Sequence, residues 1–451
     1  MKNLLTISVA TCAALFFSSC SSTSWSWLWP FGKKQPEVKV YQPEIDDSQQ
    51  LTFSKLTKQK PQKKSDVLSV ENLERLSKAG NPNAQVALGK FYFDGVGGVK
   101  KDYKKAFKLF KSSAEGHNPL GMYNVAICYD GGFGVKQSDE EALLWYNRAA
   151  EERVPEAMTK IATVAEAKGD YLQAIKYFRI LGESDDAVCL RKAAVLLLNG
   201  FGTPETPDEP YKLLLRAAKL GDTRAQLHLA DCYQRGLYTD ANYDEMFSWL
   251  SIAAQNGDPE AQTKLGYCYQ KGLGTIKNTD IAFSWYSKAS EADYPAGMVA
   301  QADCYFEGLG VPRNVKKAIE LYQKAARAND MIAQYRVGKL YLDGLGVIQS
   351  VNEAYRYYKS SADQGFPPAI VQVGRFLENG VGIPKNEEEA FNCYAKAAAM
   401  NDADAMMRLA LCHLNGKGTP KDTKEAAKWL NAAAKHGNRE AEKLLMEHHL
   451  N

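Results

Sequence analysis

A 36-residue period dominates this chain: from Cys189 to Ala405 a small residue returns at every step of 36, and ten openers fall in register, Ala84, Gly121, Ala157, Cys189, Ala225, Ala261, Gly297, Ala333, Ala369 and Ala405. A period of this length rules out most globular architectures. One unit is a single supersecondary element that cannot bury its own apolar face, so copies must stack, and the result offers an extended surface rather than a catalytic cleft.

With the opener as position zero, the unit reads Ala-x-x-x-[Leu/Val]-[Gly/Ala]-x-x-Tyr-x-x-Gly-x-Gly, then Ala-x-x-[Trp/Phe/Leu/Tyr]-Tyr-x-x-Ala-Ala. In the sixth unit Ala261, Leu265, Cys268 and Tyr269 fall at i, i+4, i+7 and i+8, and Ala282, Trp285, Tyr286 and Ala289 repeat the pattern, so the unit is two helices. The loop between them opens with a Gly eleven residues after the opener in every unit but the third, where Ala165-Glu-Ala-Lys-Gly169-Asp170 takes its place and the interval shrinks to 32; the first unit carries an extra residue at Gly98. Start signals for the second helix stand at Ser138, Thr206, Asn242, Asn278, Asn314, Ser350, Asn386 and Asp422, with Glu141, Glu209, Glu245, Glu353, Glu389 and Glu425 three positions on as capping-box or first-turn acids. Gly116, Gly221, Gly257, Gly365 and Gly437, or Asp293, Asn329 and Asn401, are expected to make the left-handed turn that ends it.

Small residues at zero, +5, +21, +28 and +29 let helices approach closely, and large ones at +8, +24 and +25, Trp285 among them, are expected to fill the space between layers. Segments Glu71–Ala79 and Arg439–Leu450 read as a lone second helix and a lone first helix capping the ends. The predicted fold is all-α: an α/α superhelical solenoid of about ten helix-loop-helix repeats with terminal capping helices over residues 69–451.

On these residues the chain resembles the Sel-one-like repeat (SLR) family, relatives of the tetratricopeptide repeats with a longer interhelical loop. The segment Ala333-Gln-Tyr-Arg-Val-Gly-Lys-Leu-Tyr-Leu-Asp-Gly-Leu-Gly-Val347 carries the family pattern, and the likeness runs over residues 70 to 450. The third unit is closer to a tetratricopeptide repeat at Gly169–Phe178. The resemblance implies a superhelix used to hold other molecules.

The N-terminus reads as an address. Met1-Lys2-Asn3, an apolar run to Phe17, then Ser18-Ser19-Cys20 has the layout of a secretory signal over residues 1–20. Its end resembles a bacterial lipobox, with Phe17 where Leu is usual, which implies that Cys20 is diacylated and becomes the mature terminus; plain secretion or an uncleaved anchor are the alternatives. The apolar stretch is too short for an ordinary span. Residues 21–68 read as a flexible tether rich in Pro, Gln and Lys, whose Trp25, Trp27 and Trp29 suit headgroup depth. The expected location is the bacterial cell envelope, lipid-anchored at the outer membrane and facing the periplasm.

Charge narrows the partners. Residues 21 to 66 hold eight Lys and five acids, which leaves the solenoid near −1 of the whole-chain +3, and no basic stripe for nucleic acid is expected. Cys128, Cys232, Cys268, Cys304 and Cys412 are equivalents at +7, one per layer, and helix axes about 8–10 Å apart hold them beyond disulfide reach. Family members with cysteine-clamped repeats carry two Cys per unit, where this chain has Ala325, Ala397 and Ala433 at the late second-helix positions. The thiols are therefore expected in the core, with Cys393–Cys412 the one pair worth testing. No Cys-x-x-Cys, His-Glu-x-x-His, Gly-x-Ser-x-Gly or Ser-x-x-Lys occurs, and His448-His449 reads as a frayed helix end. No catalytic residue, cofactor or metal is expected.

The favoured function is a noncatalytic envelope-anchored scaffold or adaptor that binds an envelope protein or peptide segment. Carrying over the groove positions of the tetratricopeptide relatives selects +2, +6 and +9 of each first helix: Tyr123, Ile127 and Asp130; Leu227, Asp231 and Gln234; Thr263, Tyr267 and Gln270; Val299, Asp303 and Phe306; Tyr335, Lys339 and Leu342; Val371, Arg375 and Glu378. Among them Tyr267, Phe306 and Tyr335, flanked by Asp303, Lys339 and Arg375, have the composition of a binding hot spot. Met407, Leu411 and Leu414 are too apolar for an open groove and are expected to meet the terminal helix. The alternative is peptidoglycan or glycan binding, with the β-lactam or peptidoglycan hydrolase activity that the family resemblance allows.

Overall fold

Residues 69–448 are described by a computed structural model. The signal, Cys20, the tether and His449 lie outside them. The described chain is all-α, an α/α solenoid of helix hairpins, and among the described residues there is no strand. It divides into two compact units at Asn242 and Tyr243. The first begins with the lone helix Val70–Lys78, continues through the hairpins Pro82–Asp94 with Tyr103–Glu115, Pro119–Gly131 with Asp139–Glu151, Pro155–Lys168 with Tyr171–Gly182 and Ala187–Leu198 with Glu209–Lys219, and ends with Thr223–Arg235. The second begins with Tyr243–Gln255 and carries Pro259–Lys271 with Thr279–Glu291, Pro295–Glu307 with Val315–Arg327, Met331–Asp343 with Val351–Asp363, Pro367–Asn379 with Glu387–Ala399 and Ala403–Asn415 with Thr423–Lys435. Arg439–Glu447 closes it.

Local signals account for these boundaries. Ser138, Asn278, Asn314, Ser350, Asn386 and Asp422 cap the second helices through their side chains. Their own N–H groups donate back to carbonyls at +8 of the first helix, Ser138 to Tyr129, Asn278 to Tyr269 and Ser350 to Tyr341, which closes each hairpin. This leaves the glutamates at the third position as first-turn acids; Glu389, for example, accepts from the Asn386 side chain at 3.2 Å. Thr206 is not a cap. Pro207 follows it, the helix starts at Glu209, and the Thr206 hydroxyl instead donates to Asp208. At the other boundary, the left-handed residue after Tyr103–Glu115 is His117 rather than Gly116, whereas Gly221, Gly257, Asp293, Asn329, Gly365, Asn401 and Gly437 turn as expected. First helices have caps of their own three residues before the opener: Asn81, Asn118, Asp186, Asp222, Asp258, Asp330 and Asp402 each accept from the opener's N–H.

Packing between layers repeats as faithfully. Residues at +25, Phe110, Tyr286, Tyr358, Tyr394 and Leu430 among them, are buried, but those at +24 are not fully so: Trp285 is half-buried, with the Lys288 ammonium 3.8 Å from its ring. Adjacent layers are joined edge to face, Phe107 on Tyr129 at 5.4 Å, Phe283 on Tyr305 at 5.2 Å and Phe391 on His413 at 5.4 Å. Buried glutamines after the opener serve the preceding layer, Gln226 donating to the Ala218 carbonyl at 3.2 Å and Gln262 to that of Ala254 at 3.3 Å, each adding a second donor to a helix C-terminal carbonyl that also accepts from the N–H of Gly221 or Gly257. Met407 is buried, and Leu411 and Leu414 pack in the same apolar cluster as Ala441 and Leu445 of the closing helix.

All five +7 cysteines are free and buried, and Cys393 and Cys412 are likewise both free thiols. Burial pushes the thiols of Cys128, Cys268 and Cys304 up to about 12 and those of Cys232 and Cys412 to about 11, from the ordinary 9.0. Above pH 9 the unfolded chain therefore loses thiol protons that the folded chain keeps. Stability is complete below pH 9 and falls as pH rises toward 11, by up to ~1.4 kcal/mol per pH unit for each thiol. Thermal unfolding at pH 7 and pH 10 should show this loss, and replacing Cys232, Cys268 and Cys304 by Ala should shrink it; an undiminished pH dependence in that variant would place its origin elsewhere.

Candidate functional site

The face that the first helices present in the second unit, 243–448, is built from the +2, +6 and +9 positions, and these differ sharply in exposure. Position +2 is mostly core: Val299 and Val371 are buried here, as are Tyr123 and Leu227 in the first unit, and Thr263 and Tyr335 are half-buried, so none of them is open groove surface. Ile127, at +6 of the second repeat, is buried as well. Position +9 is largely structural. The buried +25 tyrosines pass their hydroxyls through the layer to acceptors there, Tyr286 to Gln270 at 2.9 Å, Tyr394 to Glu378 at 2.9 Å and Tyr146 to Asp130 at 3.2 Å. Lys417, on the interhelical loop of the next layer, also binds Glu378 at 2.9 Å. Burial opposes ionisation of Glu378, but the bonds from Lys417 and Tyr394 hold its carboxyl below the usual range.

Of the six candidate binding residues, three are open to solvent and three are engaged. Tyr267 is 39% exposed, with the Lys271 ammonium 5.8 Å from its ring. Lys339 is exposed, and so is Arg375, which bonds the neighbouring Gln372 side chain at 3.4 Å. Asp303 does a different job: it accepts from the buried Tyr322 hydroxyl and pairs across the layer with Arg336 at 3.5 Å. Phe306 is half-buried under Arg313, whose guanidinium lies 5.9 Å from the ring while its Nε holds the Phe306 carbonyl at 2.9 Å. Tyr335 packs on Tyr358 at 5.5 Å and edge-on to Phe366 at 5.4 Å. Burial raises its phenol's pKa; Arg336 and Arg375 oppose the shift, and Asp402 and Asp404 add to it. The fold thus brings Tyr335 and Arg375 into one electrostatic neighbourhood, with Asp303 joined to it through Arg336.

Sequence reasoning missed the +3 position. Lys160 reaches back to Asp130 at 2.8 Å, Lys192 to Glu166 at 2.7 Å and Arg336 to Asp303, so acids at +6 or +9 pair with a cation of the next layer. The alternation of acid and base at a separation near 30 residues was the available signal. Among the described residues no cluster of His, Cys, Asp and Glu could hold a metal ion. Likewise no helix there is long and apolar enough to cross a membrane.

Stacked two-helix units joined by glycine loops, with a solvent-facing row of first helices, define a repeat scaffold of the tetratricopeptide-like class. The chain belongs to the Sel1 repeat family: units match at residues 82–118, 119–153, 187–222, 223–258, 259–294, 296–330, 332–366, 367–402 and 403–438. The span they skip is the third unit, whose first helix ends at left-handed Gly169 and whose second is capped at once by Asp170. Among solved structures, a protective antigen present in uropathogenic Escherichia coli strains and displaying an SLR fold is similar at TM-score 0.62 and 26% identity, covering 88% of this chain and 87% of that one. Among characterised sequences, chitin synthase regulatory factor 3 of Schizosaccharomyces pombe is 30% identical over 35% of this chain and 18% of its own length. Protein SHC1 of Saccharomyces cerevisiae is 29% identical over 36% of this chain and 34% of its own. The chain thus spans about a fifth to a third of these relatives. Sel1 repeat proteins are protein-interaction scaffolds.

Proposed function

We propose that this protein is a noncatalytic, envelope-anchored adaptor that holds a segment of an envelope protein along the first-helix face from Tyr267 to Arg375. The observation that carries the reading is the contrast along that face. Its acids Asp303 and Glu378 are consumed by hydrogen bonds and ion pairs with Tyr322, Arg336, Tyr394 and Lys417, whereas Tyr267, Lys339 and Arg375 stand exposed on three first helices and, among the described residues, take part in no cross-layer ion pair. An aromatic ring and two cations suit a peptide that brings an apolar side chain and carboxylates. Anchoring is proposed through an acylated Cys20, and the mass of the native N-terminus tests it.

Crosslinking in the native envelope identifies the partner, and titration of variants then tests the face. Tyr267→Ala, Lys339→Ala and Arg375→Ala are each expected to weaken binding by about 1–3 kcal/mol where they are hot spots, with circular dichroism unchanged. Asp303→Ala should differ by also lowering stability, because Tyr322 and Arg336 lose their acceptor. Unchanged affinity in all three exposed-site variants would move the site off this face. Retention on isolated sacculi in place of a discrete protein would replace the adaptor reading by glycan binding.

A further inference from the structure

The near-neutral balance of the solenoid hides a concentrated charge at its first repeat. Between Val99 and Ser112 the chain carries six lysines and one acid, Asp102, whose carboxylate is committed to capping the next helix by accepting the Lys105 N–H at 2.9 Å. Lys104, Lys108 and Lys111 are spaced i, i+4, i+7 and all exposed, so they form one stripe along Tyr103–Glu115, and exposed Lys100 and Lys101 extend it onto the loop. Lys105 turns inward to the Tyr92 hydroxyl and to Glu74 at 3.7 Å. At the N-terminal end of the stripe lies an open hollow of about 580 Å³ whose lining includes Lys100, Lys101, Lys104 and Lys105, with Asp102 its one acid. The repeat does not impose this charge: the next second helix opens with Asp139, Glu140 and Glu141. In the seventh unit, where Arg313, Lys316 and Lys317 take the places of Lys101, Lys104 and Lys105, the place of Lys108 falls to Glu320, which breaks the stripe.

Position and charge together identify the occupant. A methyl group built on Gly97 would come within 3.3 Å of Val70 Cγ2, so the lysine-bearing loop flanks the start of the first described helix, where the preceding 68 residues join. Those residues include Cys20, and their stretch from 21 to 66 adds eight Lys against five acids. On the anchored reading, the first repeat is the part of the solenoid tied closest to the bilayer. We infer that Lys100, Lys101, Lys104, Lys108 and Lys111 form a docking surface for the phosphate headgroups of an anionic membrane, which lays the first repeat against the bilayer. This rests on the envelope-anchored reading, and its test separates the two.

The full chain carrying Cys20→Ser, which has no acyl chain, is mixed with vesicles of phosphatidylcholine containing phosphatidylglycerol and with vesicles of phosphatidylcholine alone. Binding is expected to the anionic vesicles and to weaken as salt is raised. Each lysine near such a surface is worth about fivefold, so Lys100→Gln, Lys101→Gln, Lys104→Gln and Lys108→Gln together should weaken partitioning by ~600-fold. The pair Lys108→Gln and Lys111→Gln, outside the hollow, should lose roughly 25-fold and gives the same readout if the larger change disturbs the fold. Equal binding to both vesicle types, or unaltered binding of both variants, overturns the inference. So does loss confined to Gln variants of the tether lysines Lys33, Lys34, Lys55 and Lys58. Native protein without acyl mass at Cys20 sinks the anchor alone, since vesicle binding by the unacylated chain does not depend on it.

Discussion

Replacing Tyr286 by Ala is expected to lower the unfolding free energy by about 3–5 kcal/mol, while Trp285→Ala, one residue away, should cost about half of that or less. Tyr286 is 2% exposed and fills the space over Gly266, where even a Cβ would sit 2.6 Å from its ring. With no side chain at Gly266 to move in, truncation leaves a cavity that the layer cannot refill, and it also removes the hydroxyl that donates to Gln270. Trp285 is half-buried and covered on one side by Lys288, so its removal exposes surface without opening an interior void. Because each layer of a solenoid depends on its neighbours alone, hydrogen exchange should speed up first in Pro259–Lys271 and Pro295–Glu307. Equal losses for the two variants in chemical denaturation would show that the layers relax into such voids.

A second large effect should come from a residue with no side chain at all. Gly310→Ala is expected to destabilise by about 3 kcal/mol or more, against about 1–2 kcal/mol for Gly257→Ala. Both glycines have positive φ, +67° and +88°, so both substitutions bear the left-handed penalty. Only at Gly310 would the new Cβ also stand 2.1 Å from a backbone oxygen, that of Thr279 at the start of the preceding second helix; at Gly257 nothing lies within 4 Å. Gly134, Gly274 and Gly418 meet the carbonyls of Tyr103, Tyr243 and Glu387 in the same way. In these four loops the second glycine is thus the seat on which one layer rests upon the next. Similar unfolding midpoints for the two alanine variants would remove that role.

The helices, their caps and their family were legible from a single chain because they depend on residues close in sequence. Asn314 caps Val315–Arg327 through the N–H of Lys317, three residues away, and Gly308 ends Pro295–Glu307 by its own φ. The same holds for the buried thiols, since +7 lies on the apolar stripe of its own helix. The candidate site was legible only in part. Tyr267, Lys339 and Arg375 are exposed, but Asp303 and Tyr335 are engaged in packing and pairing, and most +2 residues, Val299 and Val371 among them, are core.

That division has one physical cause. A period of 36 specifies what each hairpin is and that hairpins stack, but it carries no direct record of the rotation between successive layers. The rotation decides how far one first helix covers the next, and hence whether Val371 is groove or core. It also decides whether an acid such as Asp303 meets a cation 33 residues further on or remains free for a partner. The sequence by itself therefore determined the all-α hairpin repeat, the positions of its turns and the apolar stripe, because these arise from local backbone preferences and burial within one unit. Which polar side chains are consumed in holding the layers together, and which are left for another molecule, was decided only when the layers were set against each other.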